Sequence, residues 1–258
     1  VKQYKSRVVD NLLKRKLEGI GAVLIEGPKL CGKTTTAEQF SKSILYVANP
    51  QERQQNLKMA EIDPSVLLKG EVPRLLDEWQ IAPMLWDAVR FEVDHRGVPG
   101  QFILTGSALP AEKDKIFHTG TGRIARLKMR TMALYESGES NGDISLKQLF
   151  EGEKNLSGVN ELTLEEIAYL VCRGGWPTAC LQEGDIALDR AFDYYDAIVN
   201  EDITRADGVN RSSERAKLLM RSYARSQGTQ TSTDAIRNDM VANDTNSIDT
   251  KTVQCILY

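Results

Sequence analysis

Ala22-Val-Leu-Ile-Glu26 runs directly into Gly27-Pro-Lys-Leu-Cys-Gly-Lys33-Thr34, and the reading of these residues decides the fold. The first five form a short apolar run of strand length. The next eight match G-x-x-x-x-G-K-[ST] in full, and Thr35 to Ser43 then reads as helix. Strand, loop, helix is the context this phosphate-binding motif requires. Its glycines let the backbone curl so that successive N–H groups point inward, and the following helix adds its positive end. Gly27, Pro28, Lys29, Cys31, Gly32, Lys33, Thr34 and Thr35 are therefore expected to hold the phosphates of ATP or ADP. Lys33 is expected to reach the β and γ phosphates, and Thr34 to give a hydroxyl to Mg²⁺. Loop amides around Cys31 would lower its thiol pKa; the plainer reading is a tolerated small residue.

Working outward, Ile44 to Val47, Arg74 to Asp77, Phe102 to Thr105 and Ile124 to Met129 are further strand candidates. An amphipathic helix, Arg7 to Leu17, leads in. Another starts at Pro83 with Leu85, Trp86, Ala88, Val89 and Val93 on its inner face. Strands alternating with helices predict an α/β, three-layer core with a five-stranded parallel sheet. Beyond Met132 the pattern turns helical. Ser145 with Gln148, and Thr163 with Glu166, fit capping boxes. Gly174, Gly175 and Pro177 interrupt, an acidic helix spans Ile186 to Asp202, and helices follow over Ala216 to Ala224, Asp234 to Met240 and after Asp249. The expected division is a core over 1–131, a helical lid over 132–211 and a third piece over 212–258.

Asp77-Glu78 ends an apolar stretch some 45 positions after the loop lysine, a Walker B arrangement. Asp77 is expected to serve Mg²⁺ through its water, and Glu78 to polarise the attacking water. Thr105 or Ser107, at the end of the fourth strand, would face the γ phosphate; the alternative is a strand ending in turn residues. Arg123, in a basic stretch with Lys113, Lys115, Arg126, Lys128 and Arg130, either stabilises γ-phosphate charge, in cis or across a subunit boundary, or belongs to a solvated basic face.

Composition narrows the classes. In 258 residues, 33 Lys+Arg against 36 Asp+Glu leave a net charge of −3, which excludes a polycation that coats nucleic acid. No run approaches about 18 apolar residues, and no apolar stretch opens the chain, so no membrane partner and a cytoplasmic location are expected. Cys31, Cys172, Cys180 and Cys255 are widely spaced, and His95 and His118 lie far apart, as reduced thiols without a zinc site would be. The valine start and the stop at Tyr258 within a helical pattern read as a fragment.

Several stretches together resemble a known family. YKSRVVD (Tyr4 to Asp10), the loop, LLDEWQ (Leu75 to Gln80), LWDAVRFEVD (Leu85 to Asp94), QFILTGSA (Gln101 to Ala108), TGTGRIARLKMRTMALYESGES (Thr119 to Ser140), CRGGWP (Cys172 to Pro177) and RSYAR (Arg221 to Arg225) resemble the prokaryotic AAA-type ATPases of the AAA_14 group, whose members usually continue into DUF4143. The resemblance implies an AAA+-like P-loop core with strand order 5-1-4-3-2 and a helical lid. It also implies that Pro177 in Gly175-Trp176-Pro177 contacts the nucleotide base beside a lid arginine, Arg173; from the residues alone the same element is a helix stop. The piece from Ser212 resembles the start of a winged helix-turn-helix, with Lys251 to Tyr258 opening its second helix. Such a fold binds DNA or serves as an intramolecular lid, and its six basic against five acidic residues do not choose between them. The expected function is Mg²⁺-dependent ATP binding with slow hydrolysis, nucleotide state setting the lid position. The alternatives are a nucleotide-regulated DNA-binding regulator and a P-loop small-molecule kinase. Self-association with Arg123 acting in trans, and a DNA or protein partner met through a missing C-terminal part, complete the expected partners.

Overall fold

The computed structural model describes residues 4–106, 118–202 and 212–242. All five apolar runs become strands: β1 (Ala22–Glu26), β2 (Ser43–Tyr46), β3 (Arg74–Asp77), β4 (Phe102–Gly106) and β5 (Ile124–Lys128). They pair in parallel in the order β2-β3-β4-β1-β5, the order the resemblance implied. Strands buried on both faces need apolar side chains at every position, which explains why β1 and β4 read as continuous runs without polar alternation.

Alternate residues of β1, β3, β4 and β5 supply two separate cores, and the edge strand β2 gives Leu45 to one of them. Val23, Ile25, Leu75, Ile103 and Leu127 pack with Leu13 and Leu17 of α1 (Val8–Gly19) and Ala37 of α2 (Lys33–Phe40). On the other face Ala22, Leu24, Leu76, Phe102 and Leu104 meet Ala60 of α3 (Arg53–Ile62) and Leu85, Trp86, Val89 and Val93 of α4 (Met84–Arg96). This is the expected three-layer α/β arrangement. The sequence reading missed α3: the segment RQQNLKMAEI buries only Asn56 and Ala60, too little to leave an apolar stripe.

After β5 come short helices, α5 (Leu134–Ser137), α6 (Leu146–Phe150), α7 (Leu164–Arg173) and α8 (Pro177–Cys180), and then α9 (Gly184–Ala197). Both capping boxes form. Ser145 and Gln148 exchange side-chain to backbone bonds of 3.1 Å each way. Thr163 Oγ1 accepts the Glu166 N–H at 3.2 Å while Glu166 Oε2 accepts the Thr163 N–H at 2.7 Å. The chain divides into two compact units, Val1–Leu188 and Asp189–Tyr258. In the second, helices Ser213–Arg225 and Thr233–Ala242 pack through Leu219, Ile236 and Met240. The helices expected after Asp249 and over Lys251 to Tyr258 lie outside the described residues.

Leu104, with no exposed surface, should cost about 2–5 kcal/mol when cut to Ala. Thr163→Ala should cost only about 1 kcal/mol through the lost cap. Urea midpoints of the two variants check the ordering; equal losses would show that the sheet core does not dominate.

Candidate functional site

Parallel pairing brings the carboxyl ends of β1, β3 and β4 to one edge, with Asp77 beside Thr105 and Ile25 beside Thr105 in register. The phosphate loop leaves β1 at that edge. Gly27 passes so close to the chain after β5 that an added Cβ would lie 2.1 Å from the Met129 carbonyl oxygen. Gly32, at φ +100°, caps α2 in a left-handed conformation that a side chain would strain. Lys33 opens α2, is 5% exposed, and folds back to donate to the carbonyls of Gly27 at 2.9 Å and Pro28 at 2.8 Å. Burial pushes its pKa down, against the opposing pull of Cys31, Glu78 and Asp77. Pro28, Lys29 and Thr35 are exposed around the loop.

Asp77 is the centre of the second half. Its Oδ1 accepts the hydroxyl of Thr34 at 2.7 Å and that of Thr105 at 2.6 Å. The chemistry of the first pair suits Mg²⁺: the Thr34 hydroxyl keeps a lone pair for the ion while its hydrogen goes to the Asp77 carboxylate, and both are the hard oxygen donors that Mg²⁺ takes directly or through water. Thr105, expected at the γ phosphate, donates its hydroxyl to this carboxylate. Ser107 lies outside the described residues. Glu78 sits at φ +57°, uncommon for a side-chain-bearing residue, which turns its carboxylate off the β3 direction. Gln80 Nε2 donates to Glu78 Oε2, and the Gln80 carboxamide lies against Gly106, where an added Cβ would meet Oε1. Gln80 closes the LLDEWQ stretch, but the sequence assigned it no role.

For Cys31 the structure favours the plainer of its two readings, and for Arg123 the cis role is corrected. Cys31 is fully buried, and burial pushes its thiol pKa up, outweighing the charges of Lys33 and Arg7 and the loop amides, so it is not an activated thiol. Arg123 precedes β5, and its neighbour Ile124 pairs with Ala22 at the start of β1. It thus lies at the strand-entry edge, on the order of 13 Å of strand from the loop. There it is half-exposed and paired with Asp94 at 2.8 Å, so it does not reach this chain's own loop.

The Gly-Trp-Pro element does meet the loop. Trp176 Nε1 donates to the Lys29 carbonyl at 3.2 Å, and a Cβ on Gly32 would stand 3.5 Å from Pro177 Cγ. Arg173 is 4% exposed and held by Glu139 at 2.6 Å, turned to a carboxylate and not to the loop. Sequence reasoning missed the residues that tie the lead-in to this region. Tyr4 donates to Asp10 at 2.7 Å and lies 3.2 Å from Thr36 Oγ1. Arg7, buried, donates to the carbonyls of Cys31 and Arg130 at 2.9 Å each and to Glu136 at 3.0 Å. The partners lie up to 129 residues away, so no local pattern signals them.

Burial would raise the pKa of Glu136, but the amides of Ala133 and Val8 and the Arg7 guanidinium outweigh it and hold the carboxyl below its ordinary value. A depressed folded-state pKa gives stability that is present above the ordinary carboxylate range and lost as pH falls through the folded value. Thermal midpoints measured from about pH 6 to about pH 3 should therefore fall less steeply in Glu136→Gln than in the parent. Equal slopes would remove Glu136 from the acid response.

Residues 20–137 match the family AAA_14, described as an AAA domain. Residues 164–257 match DUF8612, a domain of unknown function, where the resemblance implied DUF4143. Uncharacterized proteins of Mycobacterium bovis and Mycobacterium tuberculosis are each 28% identical over 132 residues, 51% of this chain and 30% of the relative. The chain thus spans about a third of the length of the curated relatives it matches. Among solved structures, the Walker-type ATPase of Pyrococcus abyssi aligns with a TM-score of 0.54 at 16% identity, over 100% of this chain and 91% of that one. AMPPCP-bound DnaA from Aquifex aeolicus aligns at 0.41 and 15% identity, over 96% and 84%. The core of the chain, residues 20–137, is thus matched by the AAA domain family, on a P-loop α/β fold shared with a Walker-type ATPase.

Proposed function

We propose that this chain binds ATP with Mg²⁺ and hydrolyses it slowly, the nucleotide state acting on the helical segment after β5. The observation that carries the reading is the convergence of Lys33, Thr34 and Asp77 at one sheet edge. Loop amides and the α2 N-terminus favour phosphate there, and Lys33 exchanges two carbonyls for phosphate oxygens. Thr34 and Asp77 would hold Mg²⁺, which when bound neutralises phosphate charge. Thr105 fixes the Asp77 carboxylate by donating to it. Glu78 takes the proton of the attacking water, its carboxylate restrained by Gln80. Arg123 takes no part in cis. A role for it would need a second copy of the chain.

Trp176 and Pro177, already against the loop, give the segment after β5 its means of responding to nucleotide. The domain limits of 132–211 for a lid and 212–258 for a winged-helix piece remain part of this proposal. Among the described residues no helix is long and apolar enough to cross a membrane. Cys31, Cys172 and Cys180 are free thiols, in keeping with a reducing cytoplasmic location.

Lys33→Ala should abolish ATP binding in titration calorimetry. Glu78→Gln should bind ATP normally and turn over about 10²–10⁴-fold more slowly in a phosphate-release assay. Wild-type turnover in Glu78→Gln would remove the base assignment while leaving the binding site intact.

A further inference from the structure

Arg7 spends a buried charge on a loop carbonyl. Its Nη1 donates to Cys31 O at 2.9 Å, its Nη2 to Arg130 O at 2.9 Å, and its Nε to Glu136 Oε1 at 3.0 Å. The Arg7 and Glu136 side chains are only 5% and 6% exposed, and Glu136 also accepts the Val8 N–H at 2.6 Å and the Ala133 N–H at 2.7 Å. A tie between α1 and α5 needs only the Glu136 contacts. The bond to Cys31 O does something else.

A trans peptide is planar, with its C=O and N–H directed oppositely. Holding the Cys31 carbonyl on the Arg7 side therefore turns the Gly32 N–H to the opposite side. Gly32 lies at φ +100°, and a glycine there has no Cβ to stop the preceding peptide from rotating. The guanidinium stands close by, with Nη1 3.2 Å from where a Gly32 Cβ would be. Its planar fork can claim the loop carbonyl, the Arg130 carbonyl and the carboxylate together, which a single ammonium cannot.

We propose that Arg7 is a positioning residue of the phosphate loop: it clamps the Cys31–Gly32 peptide so that the Gly32 N–H is already aimed at bound phosphate. The inference rests on the nucleotide-binding reading above and names a residue outside the loop motif that sets its affinity. Preorganised donors bind more tightly because no ordering cost falls due on binding.

The test compares the wild-type chain with the double variant Arg7→Met/Glu136→Leu, which removes both charges and leaves no unpaired buried one. ATP, ADP and inorganic tripolyphosphate are titrated with Mg²⁺ by calorimetry, and thermal midpoints are measured without ligand. The expected result is a folded variant in which all three ligands bind more weakly by a similar factor, about tenfold or more. A folded variant with a lowered midpoint and ATP affinity within about twofold of wild type would make Arg7 a structural tie only and overturn the proposal. Should the double variant not fold, Arg7→Lys replaces it. That variant retains charge without the fork, and the same weakening or its absence decides. A wild-type chain that binds neither ATP nor tripolyphosphate overturns the nucleotide reading itself, an outcome distinct from an unaffected variant.

Discussion

The parallel placement of β1 between β4 and β5 is the constraint on which the rest depends. Parallel strands cannot be joined by tight turns, so each pair requires a crossover, and those crossovers supply α2, α3 and α4. They also cover both faces, which is why the strands can be apolar throughout. Once the direction is set, every strand exit falls on one edge. Gly27, Asp77 and Gly106 meet there although they lie far apart in the chain, and the polar residues of the site need no arrangement of their own beyond the register Asp77 with Thr105.

Placing charges at that edge would be costly if they were left bare. Each is answered locally. Asp77 is 9% exposed and takes two hydroxyls on one oxygen; Lys33 takes two carbonyls of its own loop. These partners are neutral, so they satisfy the charges without cancelling them. A neutral hydrogen bond is weaker than one between opposite charges. Lys33 therefore sits in a position from which phosphate oxygens can draw it, and Asp77 keeps an anionic oxygen beside the Thr34 hydroxyl. The same arrangement satisfies the loop's own polar groups and leaves Lys33 and Asp77 receptive.

Features with short-range causes were legible in the sequence. The β1 run, the loop glycines and the two capping boxes each depend on residues within about eight positions. What could not be read depends on distance or on direction. α3 buries too little to show a stripe. The activated alternative for Cys31 counted only its adjacent loop amides, whereas the burial that outweighs them comes from a core cluster that includes Leu13, Ile25, Ala37 and Met129. Arg123 looked close to the site because it sits beside a strand. In a parallel sheet, however, a residue that precedes a strand lies at the entry edge and one that follows lies at the exit edge. The Arg7 and Glu136 pairing joins positions 129 residues apart, beyond any periodicity.

The loop is shaped from outside as much as from its own sequence. Two of its outward carbonyls are claimed by side chains from elsewhere: Cys31 O by Arg7, and Lys29 O by the Trp176 indole. Peptide planarity extends the argument made for Gly32 to the peptide two positions back, so that a donor on Lys29 O turns the Leu30 N–H to the opposite side. Leu30 itself lies at φ +61°, a conformation a leucine rarely adopts without support, and the Trp176 bond is a support of that kind. The Gly-Trp-Pro element thus has a reason to touch the loop that does not involve a nucleotide base. Arg173, held by Glu139, and Gly175, whose carbonyl accepts the Met132 N–H at 2.6 Å, anchor that element to the segment leaving β5.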